Sequence, residues 1–231
     1  MYMNEQLKRI ILDIKDLQKS PIEEIYYFPC EENITFGHAL IFGPKETPYE
    51  HGNYLFRFEF PKEYPYEPPH VSYLSNDGKT RFNPNFYRDG KVCLSLLNTW
   101  QGEKWSACQS IRSVLITLQM TMNENPLLNE PGIEEETHFT SIRKYNRLIA
   151  FKNMELTILR YNLNPEYIPF QHYGIRECIR KHYHETRERI LETIQTNISK
   201  SYNNTVIRLN MYSQEALVNY DDLLTQFHKI V

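Results

Sequence analysis

Four short strand-like runs, Ile25 to Phe28, Ile34 to Phe42, Tyr54 to Phe60 and Val71 to Leu74, follow one another with only turn clusters such as Gly43-Pro44 and Glu67-Pro68-Pro69 between them. Links this short favour neighbouring antiparallel strands, so the runs predict an antiparallel meander. An amphipathic helix precedes them. Leu7, Ile10, Ile11, Ile14 and Leu17 recur at helical spacing, Lys8, Arg9, Asp13, Lys15 and Asp16 lie between, and Ser20-Pro21 ends the pattern. Ser110 to Met122, carrying Ile111, Val114, Leu115 and Leu118, reads as a further helix. Helix, four strands, loop, helix is an α+β order.

The loop between the last strand and that helix carries the chemistry. An Asn83-Pro84-Asn85 turn stands eight residues before Cys93, Asp89-Gly90 reads as a second tight turn, and Val92 to Leu97 as a short buried segment. Cys93 therefore sits where a loop enters the core, a place where a scaffold can hold a thiol rigidly and still show it to a partner. Cys30, Cys108 and Cys178 form no Cys-x-x-Cys pair and no cysteine/histidine cluster at zinc spacing. No metal site is expected, and these three read as packing residues or bystanders.

The Cys93 segment resembles the active-site stretch of ubiquitin-conjugating enzymes, the E2 family, in which a His-Pro-Asn motif is followed eight residues after the Asn by the thioester-forming cysteine. Gly52 to Pro61 and the run Tyr64-Pro65-Tyr66-Glu67-Pro68-Pro69 are similar to the family's third strand and the Tyr-Pro-x-x-Pro-Pro loop after it. The resemblance covers roughly residues 4 to 135 and implies the E2 (UBC-like) fold. Two features depart from the usual pattern: Asn83 stands at the histidine position, and the link from Leu97 to Ser106 is long. With Asn129-Glu130-Pro131-Gly132, they resemble the E2 domains embedded in the giant inhibitor-of-apoptosis protein BRUCE and its large hybrid E2/E3 relatives.

The resemblance implies an enzyme that accepts ubiquitin from an E1 activating enzyme as a Cys93 thioester and passes it to lysine amines of substrate proteins, with or without an E3 ligase. It implies no bound cofactor, since ATP is consumed by the upstream E1. Asn85 then either donates to the oxyanion or holds the loop, with an Asx-turn as the plainer alternative. Glu130, before Pro131, takes the place of the family's loop acid, which orients the attacking amine; its plainer reading is an exposed, solubilising acid. Asn83 is expected to be structural. The surfaces that meet E1 and E3 map to Lys8, Arg9, Tyr66, Ser106 and Ala107.

Two other classes compete. An inactive E2-like module that merely binds ubiquitin would typically lack the cysteine. A cysteine hydrolase would need a histidine beside Cys93, where the sequence offers Arg88, Asp89 and Lys91, and His38, His51 and His70 have no motif to recommend them.

A net charge of -3 gives no nucleic-acid signature, no run approaches the length of a membrane span, and Met1 to Glu5 open into a charged segment rather than a signal peptide. An intracellular protein, cytoplasmic or nuclear, is expected. Residues 1–139 form the expected core and 140–231 an all-helical extension. Tyr145 to Leu159 marks one helix, broken at Asn164-Pro165 and Ile168-Pro169. Ile175 to Ile198 marks a second, and Gln214 to Phe227 a short third. Glu134 to Thr137 and Ser199 to Thr205 are the expected flexible joints. Residues 143–200 hold 11 Lys/Arg against 6 Asp/Glu, which reads as a solvated face or a contact with an acidic partner.

Overall fold

A computed structural model describes residues 5–168 and 172–230. Met1 to Asn4 and Pro169, on which two of the sequence expectations bear, lie outside the described residues. Helix α1 (Glu5–Lys19) buries Ile10 and Ile14, and with them two polar residues, Gln6 and Asp13. Buried polar groups persist only where they are hydrogen-bonded. The Asp13 carboxylate accepts from Arg9 Nε at 2.9 Å, from the Tyr64 hydroxyl, and from the Ile111 amide at 3.3 Å. One carboxylate thus ties α1 to the Tyr-Pro loop and to the start of α2 (Ile111–Thr121).

The four expected strands are present as β1 (Ile25–Pro29), β2 (Phe36–Phe42), β3 (Asn53–Glu59) and β4 (His70–Tyr73), antiparallel throughout in the order β1-β2-β3-β4. Side chains alternate between the two faces of a strand. Ala39, Ile41, Tyr54, Phe56 and Phe58 enter the main core with α1 and α2, whereas Leu40, Phe42 and Leu55 point the other way, onto Tyr161, Ile168, Ile175 and Ile179. The central strands are apolar nearly end to end because both faces are covered, the second by the C-terminal extension.

That extension begins with α3 (Glu135–Lys152), which continues through a π-helical stretch, Asn153–Leu159, into α4 (Arg160–Leu163); α5 (Tyr173–Ile198) follows. The expected joint at Glu134 to Thr137 is mostly helix, its acids lying in the first turn, where the helix dipole favours them. The division expected at 139/140 falls inside α3. The expected helix from Gln214 to Phe227 is corrected: β5 (Thr205–Leu209) and β6 (Gln214–Val218) form a hairpin, and only Tyr220–Phe227 is helical, as α6. The extension is thus mainly, not wholly, helical. Val206-Ile207-Arg208-Leu209 and Gln214-Glu215-Ala216-Leu217-Val218 alternate buried and exposed with period two, a strand signal. Among the described residues, the ion pairs of the extension's cations run to its own acids, as in Lys152–Glu155, Arg180–Glu177 and Arg208–Glu215.

A polar seam joins extension to sheet. Asn153 Oδ1 accepts from the Tyr54 hydroxyl at 2.6 Å and from Thr157 Oγ1 at 2.6 Å, while Asn53 Nδ2 donates to the Thr157 carbonyl at 2.6 Å. The approach is so close that a Cβ on Gly52 would fall 1.9 Å from Asn153 Oδ1. Asn153→Ala leaves the fully buried Tyr54 hydroxyl without its acceptor and should cost about 2 kcal/mol, read as a lower urea midpoint at unchanged m-value. On the same face His182 of α5 stacks on Phe42 with ring centroids 3.7 Å apart. Burial lowers the His182 pKa from 6.5 to about 4, with the charge of His51 adding to the effect. Between those values the unfolded chain binds more protons than the folded one, so this contribution is lost as pH falls from about 6.5 towards 4. His182→Phe, which keeps a ring on Phe42, should flatten the acid limb of a plot of stability against pH.

Candidate active site

The eight-residue spacing from Asn85 to Cys93 is the perimeter of a closed loop. The Cys93 amide donates to the Asn85 carbonyl at 2.9 Å, Asn85 Nδ2 donates to the Cys93 carbonyl at 2.8 Å, and inside this clamp the Tyr87 amide donates to the Lys91 carbonyl at 2.9 Å. Gly90, at φ +90°, makes the turn. On the far side of the cysteine, Thr99 Oγ1 accepts from the Leu94 amide at 2.9 Å and donates to the Val92 carbonyl at 3.0 Å. Cys93 is therefore braced from both sides.

It is held more than it is shown. Cys93 is only 2% exposed, because the segment enters the core between the buried Val92 and Leu94. Cys108 is the exposed cysteine.

The Asx-turn considered for Asn85 belongs to its neighbour. Asn83 Oδ1 accepts from the Asn85 amide at 2.9 Å, and Asn83 Nδ2 donates to the Tyr49 hydroxyl and to the Thr121 carbonyl, both at 2.8 Å. Tyr49 is fully buried and its hydroxyl in turn donates to the Phe82 carbonyl at 2.8 Å. Asn83 thus does the structural work expected at the histidine position. Asn85 spends an amide hydrogen on the Cys93 carbonyl, and its buried Oδ1 is unpartnered.

Glu130 follows a 3-10 turn, Pro126–Asn129, and is half-buried rather than an exposed solubilising acid. Asn129 anchors the turn: its Nδ2 donates at 2.9 Å to the same Thr121 carbonyl that Asn83 uses, and its Oδ1 accepts from Asn123 at 3.0 Å. The cysteine loop and the Glu130 loop hang from one carbonyl at the last residue of α2. Beyond them, Pro131 and the long link after the cysteine face each other across a cleft of about 440 Å³ lined by Asn98, Thr99, Trp100 and Gln101. Glu130 Oε2 accepts from the hydroxyl of Tyr212, in the β5–β6 turn, at 2.6 Å. Sequence reading named neither Thr99 nor Tyr212. Thr99 lies in the unusual link, and nothing in the sequence marks Tyr212 among 17 tyrosines.

The five expected partner residues lie at one end of the molecule. Arg9 donates to the Ala107 carbonyl at 2.8 Å and to that of Gln109, and Trp105 Nε1 donates to the Pro65 carbonyl at 2.7 Å, so α1, the Tyr66 loop and the Ser106–Ala107 loop are joined. Arg9 is occupied by this work. Lys8 and Ser106 are exposed, and Tyr66 stands 66% exposed with its hydroxyl on Glu5 Oε1 at 3.0 Å. Of the histidines weighed for a hydrolase, His51 packs near His182 and His38 feels Arg57 and His172, while His70 is exposed on β4. No helix among the described residues is long and apolar enough to cross a membrane.

Comparison with known proteins identifies the family. Residues 9–147 match the family model for ubiquitin-conjugating enzymes. The chain is 47% identical to ubiquitin-conjugating enzyme E2 Z of Homo sapiens over 66% of its own length and 43% of the relative's, and 48% identical to that of Danio rerio over 65% and 46%. A probable ubiquitin-conjugating enzyme, E2 R521 of Acanthamoeba polyphaga mimivirus, is 32% identical over 95% of the chain and 16% of the relative. The chain spans half or less of the length of these curated relatives. With the match covering the helix, the sheet, the Cys93 loop and the Glu130 loop, the chain belongs to the ubiquitin-conjugating enzyme (E2) family.

Proposed function

We propose that this chain accepts ubiquitin from an E1 as a thioester on Cys93 and transfers it to lysine amines of substrate proteins, with or without an E3. The observation that carries the reading is the clamp that fixes Cys93 opposite Asn85, inside a segment matched to the family. In the first half-reaction Cys93 Sγ attacks the carbonyl carbon of the E1-bound thioester, and the E1 cysteine leaves as thiolate. In the second, a neutral lysine amine bonds to that carbon, the bond to Cys93 Sγ breaks, and the amine's proton passes to the Glu130 carboxylate and from it to water. Asn85 stabilises the negative charge on the carbonyl oxygen with the Nδ2 hydrogen that the Cys93 carbonyl does not take. The finer likeness to BRUCE-type and hybrid E2/E3 domains rests on Asn83, the long link and Asn129 to Gly132, and belongs to this proposal. So do the E1- and E3-facing roles of Lys8, Arg9, Tyr66, Ser106 and Ala107, the Arg9 guanidinium also bracing the Ala107 loop.

Incubation with E1, ATP and ubiquitin should give an adduct lost on reducing gels, and Cys93→Ser an adduct resistant to thiols. Because reactivity towards small reagents follows exposure, a maleimide should label Cys108 before Cys93 without blocking the adduct. An adduct that survives Cys93→Ala but not Cys108→Ala would sink the assignment. A folded chain that binds ubiquitin without charging would instead be a binding module.

Asn85→Ala and Glu130→Ala should separate the half-reactions. Charging stays near the wild-type rate while transfer to free lysine falls, for Asn85→Ala by about 10²-fold, the typical loss of one oxyanion donor. Equal loss in both half-reactions would reduce Asn85 to a loop brace.

A further inference from the structure

The β5–β6 turn of the extension reaches the catalytic loops. Arg88 donates to the Tyr212 carbonyl, the Arg81 amide donates to Gln214 Oε1 at 2.8 Å, and the Tyr145 ring lies 6.0 Å from that of Tyr212. The Arg81 guanidinium is stacked 3.2 Å over Tyr87 and 5.4 Å from the Tyr212 ring. A turn pinned at its backbone, at its flanking glutamine and on both sides of an arginine holds its central tyrosine in one place. That place is Glu130, whose Oε2 lies 2.6 Å from the Tyr212 hydroxyl.

Glutamate carries its carboxylate at the end of a flexible side chain, and each unrestrained torsion dilutes the productive orientation of a catalytic carboxylate. A donor on one carboxylate oxygen removes that freedom and leaves the other oxygen for the substrate. Burial, and then the bond to Glu130, raise the pKa of the Tyr212 hydroxyl well above its ordinary value, so it remains a donor across the physiological range.

Resting on the transfer role proposed for Glu130, we propose that Tyr212 is a positioning residue for lysine attack: from the C-terminal extension it fixes Glu130 through Oε2 and leaves Oε1 to meet the amine. The extension thereby completes the acceptor site.

The test uses the full chain, charged with ubiquitin and discharged onto free lysine in a single turnover, as wild type, Tyr212→Phe, Glu130→Ala and the double variant. The Phe ring keeps the packing on Arg81 and Tyr145, and a melting curve checks that the fold is kept. Tyr212→Phe should charge normally and transfer roughly three- to tenfold more slowly, the factor carried by one hydrogen bond. In the Glu130→Ala background it should add nothing, a non-additivity that a merely structural role would not produce. Slowing by the same factor in both backgrounds, faster transfer, or a parallel loss of charging and melting temperature would overturn the proposal. If Glu130→Ala slows transfer and Tyr212→Phe does not, the positioning role alone fails. If Glu130→Ala transfers at the wild-type rate, the assignment of Glu130 fails and the role of Tyr212 with it.

Discussion

The backbone carbonyl of Thr121 is the point from which the site is hung. It lies at the end of α2, where carbonyls have no partner within the helix and must be satisfied from outside. Two side-chain amides do so, Asn83 Nδ2 from the cysteine loop and Asn129 Nδ2 from the turn before Glu130. Neither loop belongs to the sheet or to a long helix that would hold it at a fixed distance from the other. A shared acceptor on a helix whose Ile111, Val114, Leu115 and Leu118 are fully buried gives both the same rigid reference. Displacing that carbonyl would disturb the Cys93 loop and the Glu130 loop together.

The extension supplies the second layer of order. A meander with one covered face would leave Leu40, Phe42 and Leu55 in water; here α4 and α5 bury them, and the Asn153–Thr157 seam sets the register of extension on sheet. The π-helical stretch places both of these polar residues against the start of β3, a use of an irregular turn that fits its rarity. Since the same extension also carries the hairpin that bears Tyr212, the seam at Gly52 and the contacts of that hairpin with the Cys93 and Glu130 loops belong to one packed unit.

The core fold was legible because its signals are local. The stripe of Ile10, Ile11 and Ile14, the short turn-bounded apolar runs of the sheet and the Asn85 to Cys93 spacing are each set within a few residues, and the last is a loop perimeter that sequence records directly. The hairpin was misread because the alternating Gln214 to Val218 runs straight into the helical Tyr220 to Phe227, so the short strand vanished into the longer pattern. Tyr212 was invisible for a different reason. Its partner is 82 positions away in the chain, and neither tyrosine nor its neighbours Met211 and Ser213 carry a mark of that contact. The exposure of Cys93 was overestimated because a loop entering the core buries its entry residue along with the apolar ones beside it.

That burial fits the chemistry of a carrier. A thioester is activated towards any nucleophile, and water at high concentration is the competitor that a transfer enzyme must resist. In the proposed carrier, Cys93 is 2% exposed and the side chains that brace its segment, Thr99 and Asn85, are not bases that could deprotonate a water. A hydrolase would need the opposite arrangement, an imidazole in reach of the sulfur. Glu130, the proposed partner of the amine, sits instead on a separate loop, with its carboxylate hydrogen-bonded to Tyr212 of a third segment. On the proposed reading, cargo is held by one part of the chain and released through another, when an amine arrives to use it.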